Sequence, residues 1–119
     1  MKKIAMELFK GRHAIPQPVD GAVFGSEVDP TKPGLLEVVA HKSLWEICEK
    51  KGYIVILEDA DGREEYVRVI SKGVRLNLYV SGLTVALIAT LNQCRREGIT
   101  VTLWHYNKAT GKYYSQQVV

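Results

Sequence analysis

The sequence has no apolar run long enough to cross a membrane. A membrane-spanning helix needs about 18 to 20 consecutive, mostly apolar residues, and no stretch of this chain approaches that length. Residues 1–7 contain two lysines but neither a long apolar segment nor a small-residue cleavage site, so we expect no signal peptide. These absences predict a cytoplasmic protein with no membrane contact.

The sequence also has little cysteine. Both thiols, Cys48 and Cys94, fall inside apolar helical stretches, and their spacing matches neither a metal site nor a disulfide framework. This pattern favours a reducing compartment and small buried hydrophobes. The histidines at 13, 41 and 105 have no paired acidic ligands, so we expect no metal and no cofactor.

A strong charge bias is likewise missing. The formal net charge of +3 suits an anionic ligand held at one place, whereas proteins that wrap long nucleic acids usually have a stronger basic bias. The chain has 119 residues, of which 46% are hydrophobic and 24% charged. Since shorter pieces would not bury a core, we expect one globular domain over residues 1–119.

Apolar periodicity predicts an α/β domain with the element order β-loop-α-β-β-β-α-β-β. Helical spacing indicates helices at 34–51 and 85–97, each followed by a glycine. Strands are expected at 3–9, 53–57, 64–70, 74–80, 99–105 and 113–119. The run 53–57 is continuously apolar, which is typical of a strand covered on both faces.

Residues 10–34 contain all four prolines and four of the ten glycines. This density opposes a helix and favours a long ordered loop, with an extended piece at 22–24. Such long connections are often functional. The two strand-helix-strand units predict parallel pairing, with hairpins that extend the sheet. The expected fold is therefore a small Rossmann-like mixed sheet, in three layers or in two open layers.

Ligands of open α/β sheets bind beyond the carboxyl ends of the strands, near helix N-termini. By this rule, segments 10–13, 81–84 and 105–107 should converge on one edge. Gly82 would let the backbone approach a ligand, and the first N–H groups of the next helix suit a phosphate or carboxylate. Ser81 and Thr84 would bind the anion or, alternatively, only cap the helix.

The other two segments add cations and imidazoles to this candidate site. Lys10 and Gly11 would contribute to ligand binding, Arg12 could grip a phosphate with its forked guanidinium, and His13 could act as an acid or base near neutral pH. A solvated loop without a site is the alternative. His105 and Asn107 are further candidate ligand-binding residues, although a structural role is the alternative for His105.

Aromatic side chains cluster in the predicted last hairpin, at positions 104, 106, 113 and 114. Such rings can stack on a nucleobase, or they can simply pack across the strands. Asp59 and Asp61 lie in the turn of the earlier predicted hairpin, where aspartate is a common turn residue.

Two segments also carry a resemblance. Residues 78–87 read LYVSGLTVAL and residues 98–113 read GITVTLWHYNKATGKY, a strand, a glycine turn, a helix, and a strand that enters a Thr-Gly hairpin. Over residues 78–113 the chain resembles the CRISPR-associated Rossmann-fold (CARF) domains that bind cyclic oligoadenylate, and the small ring nucleases related to them in function. Leu83 stands where those turns often have a second glycine.

The resemblance implies a homodimer that places two such edges around a cyclic oligonucleotide second messenger in antiviral defence. The segment 81–84 would then hold phosphate or ribose. A metal-independent ring nuclease of this kind uses the 2′-hydroxyl of the ligand as nucleophile, and Arg12 or His13 would stabilise the phosphate or protonate the leaving oxygen. The alternatives are a non-catalytic small-molecule or RNA-binding module, and a partner protein that acts through its hairpin edges.

Overall fold

The computed structural model describes residues 2–12, 14–25, 28–58 and 66–118, which form seven strands and two helices. The strands are β1 (Lys2–Phe9), β2 (Gly21–Phe24), β3 (Ile54–Glu58), β4 (Tyr66–Ile70), β5 (Val74–Tyr79), β6 (Thr100–Asn107) and β7 (Lys112–Gln117). The helices are α1 (Pro33–Lys50) and α2 (Thr84–Glu97).

The main sheet has five strands in the order β2-β1-β5-β6-β7. The first four are parallel and β7 is antiparallel to β6, which confirms the small Rossmann-like mixed α/β fold. The element order differs at one point, because the extended piece predicted at 22–24 within the long loop is a strand of the main sheet, β2. This strand pairs with β1 in the register Phe9↔Phe24.

Both helices pack on the same face of this sheet and against each other. Side chains alternate across a strand, and the alternate residues Met6, Leu78 and Leu103 are buried beneath the helices. The helices contribute Leu44 and Cys94, among others, to the same core. Since the described residues form no third helix layer, the architecture has two layers and the opposite face of the sheet, here called the open face, carries no helix.

The helix ends follow the chemistry of their sequences. Pro33 lies in the first turn of α1, where its missing N–H leaves no helical hydrogen bond unmade. Gly98 ends α2 with φ +69°, and its N–H donates to the carbonyl oxygen of Arg95. Neither described helix is both long and apolar enough to cross a membrane.

Strands β3 and β4 form a separate two-stranded antiparallel sheet, so the expectation that this hairpin extends the main sheet was wrong. The expectation that residues 53–57 form a strand covered on both faces was also wrong, because Ile56 and Leu57 are 64% and 53% exposed. A continuous apolar run is compatible with a strand buried on both faces. Whether other elements cover those faces depends on the tertiary fold, which the run itself does not specify. The turn residues Asp59 and Asp61 lie outside the described residues.

Candidate functional site

The carboxyl ends of β1, β5 and β6 lie at one edge of the sheet because these strands are parallel. This carboxyl edge brings the first two predicted segments together through Phe9. The guanidinium of Arg12 lies 5.1 Å from the centre of the Phe9 ring. A Cβ added to Gly82 would lie 3.0 Å from carbons of the same ring. Arg12 and Gly82 therefore flank one aromatic side chain.

The turn after β1 is held by a residue that the sequence analysis did not single out. The carboxylate of Glu7 accepts a hydrogen bond from the N–H of Gly11, which has φ +73°. The N–H of Lys10 donates to the carbonyl of Phe24 at 3.1 Å. These bonds fix the backbone that carries Lys10 and Arg12, both of which are exposed. His13, the second predicted catalytic residue, lies outside the described residues.

The turn between β5 and α2 is built around Gly82, whose φ of +82° is a conformation that only glycine adopts readily. Leu83 is the extended N-cap residue, and among the described residues no side chain caps the helix. The capping interpretation of Ser81 and Thr84 was therefore wrong: Thr84 is exposed and Ser81 is half-buried. The first helical hydrogen bond is donated by the N–H of Leu87, so the preceding N–H groups of the first turn have no helical acceptor.

The third segment is placed differently from the first two. His105 follows Leu103 by two residues, so its side chain lies on the helix-bearing side of the sheet rather than on the open face. Its Nε2 is 2.8 Å from Oε1 of Gln116, and its ring packs against Tyr114 at 5.2 Å. Asn107 accepts a hydrogen bond from the N–H of Ala109 and shapes the β6–β7 turn.

A cleft of about 360 Å³ opens on the open face beside the carboxyl edge. One wall is the segment 14–17, which belongs to the connection between β1 and β2. The floor and the other wall are formed by Tyr79, Trp104, Gly111, Lys112 and Tyr113. These residues and the segment 14–17 are called the aromatic cleft. The connection thus crosses the open face.

The aromatic rings in this cleft are fixed by mutual contacts. Tyr79 stacks on Trp104, with ring centres 6.1 Å apart and planes 17° apart. Tyr113 meets Tyr79 edge-on at 5.2 Å. The indole N–H of Trp104 donates to Oδ1 of Asn77 at 3.1 Å, which sets the orientation of the indole ring. The cleft therefore presents rigid, preformed aromatic surface.

The polar groups of the cleft are neutral or positive at neutral pH. Burial raises the pKa of the Tyr79 hydroxyl. Burial also raises the pKa of Tyr113, with further contributions from Tyr106, Tyr79 and the carboxylate of Glu7. Both hydroxyls thus remain protonated, and Lys112 adds a cation at the rim. Such a cleft favours a flat ligand whose negatively charged substituent lies toward Lys112 and away from the Glu7 carboxylate that acts on Tyr113.

Comparison with known proteins finds no similar protein. No protein-family model, curated protein or solved structure matches this chain. Within the described residues, no three histidine, cysteine, aspartate or glutamate side chains come together as metal ligands. The candidate site must therefore be interpreted from its own chemistry.

Trp104 and Tyr113, two of the three aromatic residues that line the cleft, belong to the predicted aromatic cluster, whereas Tyr79 and the segment 14–17 were missed. The buried residues Val74, Leu76 and Leu78 of β5 alternate along the strand, so the sequence indicates that Tyr79 lies on the opposite face of the sheet. That alternation could have identified Tyr79. The segment 14–17 carried only its proline content as a signal, since nothing in the sequence states which face a loop crosses.

Proposed function

We propose that this chain binds a cyclic oligonucleotide second messenger at the carboxyl edge, with a base in the aromatic cleft and a phosphate at the turn 81–84. The observation that carries the proposal is the adjacency of these two parts: Tyr79 and Ser81 are two residues apart, and Arg12 and Ala14 are two residues apart on the facing segment. A nucleotide has the same two parts, a flat ring and an anion a few ångströms away.

The volume and lining of the cleft support the base-binding half of this proposal. At about 360 Å³ it lies in the range of small-molecule sites. Stacking of a base on an aromatic side chain typically contributes about 1–3 kcal/mol to binding. Trp104, which is half-buried, provides such a surface. Its stacking on the buried Tyr79 and its hydrogen bond to Asn77 preorganise the indole ring.

The phosphate-binding half is supported by the start of α2 and by the exposed cations. The first-turn N–H groups and the helix dipole favour an anion, and the first turn of α2 holds no acidic residue. Arg12 lies over Phe9 beside Gly82, so its guanidinium can turn toward a phosphate at the turn. Binding of this kind weakens as salt is raised.

A second copy of the chain would complete the site for a ring-shaped ligand. Each chain has one carboxyl edge of this type, whereas a cyclic oligonucleotide presents several phosphates and bases. A homodimer with the two edges facing one ring satisfies the symmetry of such a ligand. The expected stoichiometry is one ring for two chains.

Ring cleavage is the enzymatic form of the proposal. The 2′-hydroxyl of one nucleotide would attack the adjacent phosphorus and form a 2′,3′-cyclic phosphate. The 2′-hydroxyl would lose its proton to water, the bond from phosphorus to the 5′ oxygen would break, and that oxygen would take a proton from water. Arg12 would stabilise charge on the phosphate. A non-catalytic binder of the same ligand would retain the site without this step.

A single-stranded RNA-binding module is the second candidate, and the aromatic content of the open face favours it. Tyr106 packs on Tyr113 at 5.4 Å, which continues the aromatic surface beyond the cleft along β6 and β7. Rows of aromatic side chains on an exposed sheet are typical platforms for successive bases. This candidate differs in preferring linear RNA to cyclic ligands.

Calorimetric titration with cyclic tetra-adenylate, cyclic hexa-adenylate and linear hexa-adenylate distinguishes the two functions. We expect saturable binding of a cyclic ligand, with Trp104→Ala weakening it about tenfold or more because stacking is lost. Tyr114→Ala is the matched control, since Tyr114 is an exposed aromatic residue packed on His105 away from the cleft. Thermal melting checks that both variants fold.

Three outcomes decide the proposal. Cyclic ligands that bind with Trp104-dependent affinity support it, and chromatography of the incubated ligand then separates cleavage from simple binding. Tighter binding of linear RNA favours the second candidate. Failure of every adenylate to bind a folded protein contradicts both.

A further inference from the structure

The open face of the main sheet begins, at the amino ends of β1 and β5, with two adjacent cations. Lys3 in β1 lies directly beside Arg75 in β5 in the parallel register. The next residues along these strands, Ile4 and Leu76, are buried beneath the helices, so both cations lie on the open face, where they are exposed. Adjacent strands are about 5 Å apart, and like charges directly opposite each other destabilise a sheet. Lys3 and Arg75, here called the cation pair, therefore repel each other unless an anion binds between them.

No described carboxylate offsets this repulsion. Within the five strands of the main sheet Glu7 is the only acidic residue, and it lies four residues along β1 from Lys3, a distance of about 13 Å. Asp20, which is hydrogen-bonded to β1, is already paired with Lys51 at 2.9 Å. The ion pairs formed among residues 2–12, 14–25, 28–58 and 66–118 include neither Lys3 nor Arg75. The cation pair thus has its charge available for an external anion.

Two further lysines lie beside the cation pair. The Nζ of Lys2 donates to the carbonyl oxygen of Lys72 at 3.0 Å, which ties the start of β1 to the turn before β5. Both lysine side chains are exposed. Four cations are therefore gathered where two adjacent strands begin. Because the guanidinium of arginine binds phosphate oxygens in a fork and lysine adds point charge, this arrangement suits phosphate groups.

The cation pair and the aromatic cleft lie on the same face of the sheet. Arg75, Asn77 and Tyr79 are alternate residues of β5 and therefore project to the open face. The strand separates Arg75 from Tyr79 by about 13 Å, which is several times the spacing of about 3.4 Å between successive nucleotides of a stacked strand. Asn77, which lies between them, is neutral and accepts the indole N–H of Trp104. Along β5 the open face thus changes from positive to neutral to aromatic.

We infer that the open face binds a single-stranded polynucleotide, with backbone phosphates on the cation pair and the strand directed toward the aromatic cleft. A single strand exposes its phosphates and the flat faces of its bases together. Proteins that bind such strands combine a positively charged groove with aromatic side chains. The inference goes beyond both candidate functions, since neither places an anion at the amino end of the sheet, opposite the carboxyl edge.

Fluorescence anisotropy of the whole chain with a labelled single-stranded oligouridylate tests the inference. Arg75→Glu should weaken binding about tenfold or more, because a phosphate contact is lost and the new carboxylate pairs with Lys3. Lys42→Glu is the matched control, since it makes the same change in net charge on the exposed surface of α1, on the other side of the sheet. It should weaken binding about twofold at most, because salt screens distant charges.

The salt dependence of binding gives a second measurement. For single strands, the slope of the logarithm of the association constant against the logarithm of the salt concentration changes by about 0.7 for each phosphate contact. Arg75→Ala should reduce the slope by about this amount, whereas Lys42→Ala should leave it unchanged. Thermal melting should show that neither Arg75 variant is less stable than the wild-type protein, because each substitution removes the repulsion of Lys3.

The outcomes separate this inference from the proposed function. Equal weakening by Arg75→Glu and Lys42→Glu overturns the inference, as does tighter binding of duplex RNA or poly-glutamate, or no binding of the oligouridylate by the folded wild-type protein. If the oligouridylate binds with Arg75-dependent affinity and cyclic adenylates do not bind, the inference stands and the proposed function fails. If cyclic adenylates bind with Trp104-dependent affinity and the oligouridylate does not bind, the proposed function stands alone.

Discussion

At the scale of single residues, Gly82 joins the fold to the candidate site. Its φ of +82° is costly for any residue with a side chain, and an added Cβ would press on the ring of Phe9 at 3.0 Å. The same residue sets the direction in which the chain enters α2. The backbone at Gly82 and the guanidinium of Arg12 both contact the Phe9 ring, so a change at Gly82 that moves this ring would also affect the position of Arg12.

Gly82→Ala should lower the free energy of unfolding by about 1–3 kcal/mol, because strain at positive φ adds to the contact with Phe9. Urea denaturation measures the change. Gly25→Ala is the control, since a Cβ there meets open space, and its effect should stay within about 0.5 kcal/mol. Equal effects of the two substitutions would show that neither the strain at positive φ nor the contact with Phe9 has energetic weight.

At the scale of elements, Asp20 ties three of them together. Its carboxylate accepts a hydrogen bond from the N–H of Ala5 in β1 at 2.8 Å and pairs with Lys51 after α1 at 2.9 Å. Burial alone would raise the pKa of Asp20, but these two contacts outweigh it and hold the pKa below its ordinary value. The residue immediately precedes β2, so the ties fix where that strand begins.

Asp20→Asn should reduce stability at pH 7 by about 0.5–1 kcal/mol, a surface-type value that allows for solvent screening. Because the folded-state pKa of Asp20 is depressed, its stabilisation is present above the ordinary pKa of 3.8 and is lost as the pH falls through the lower folded-state value. In thermal melts from pH 7 to pH 2.5, the difference in stability between the two proteins should therefore narrow as the pH falls.

The control for this prediction is Glu46→Gln, which removes a carboxylate from the exposed surface of α1. It should change stability little at any pH. A gap in stability between wild type and Asp20→Asn that stays constant from pH 7 to pH 2.5 would contradict the account, because the charge on Asp20 would then not be its cause.

Most elements were predictable from the sequence because their signals are local. The apolar stripe of α1 and the αL glycine after α2 depend on neighbours a few residues away, and both helices lie where they were expected. The extended piece predicted at 22–24 is strand β2, but its pairing with β1 was not predicted. Four residues hold too little pattern, and the pairing depends on Asp20 and Ala5, which are far apart in sequence.

The candidate site was predictable to a similar degree. The approach of Arg12 to Gly82 followed from the rule that parallel strands share a carboxyl edge. The aromatic cleft did not follow from it, because the cleft depends on the face that the connection from β1 to β2 crosses. That path is set by long-range contacts, as is the exposure of the β3–β4 hairpin.

At the scale of the whole molecule, the core encloses both thiols. Cys48 and Cys94 have no solvent exposure. Burial, with a contribution from Glu97, raises the pKa of Cys48 to about 11. Burial, with contributions from Cys48 and Glu97, raises the pKa of Cys94 to about 12. Only the thiolate reacts rapidly with alkylating agents, so both groups report on opening of the core.

In the native protein at pH 8, iodoacetamide should label neither thiol on the time scale at which it labels the denatured chain. When labelling does occur, both thiols should react at the same rate, because they lie in one core and become accessible by global unfolding. Mass spectrometry of the modified protein measures this. Fast labelling of Cys48 alone would reveal local opening of α1.

The connection between β1 and β2, which contributes the segment 14–17 to one wall of the cleft, is attached to the sheet at both ends. It is held to β1 near both ends, by the bond of Gly11 to Glu7 and by the bonds of Asp20 with Ala5. A ligand in the cleft would contact a connection that is attached to the sheet at two points, so its binding would also stabilise the sheet.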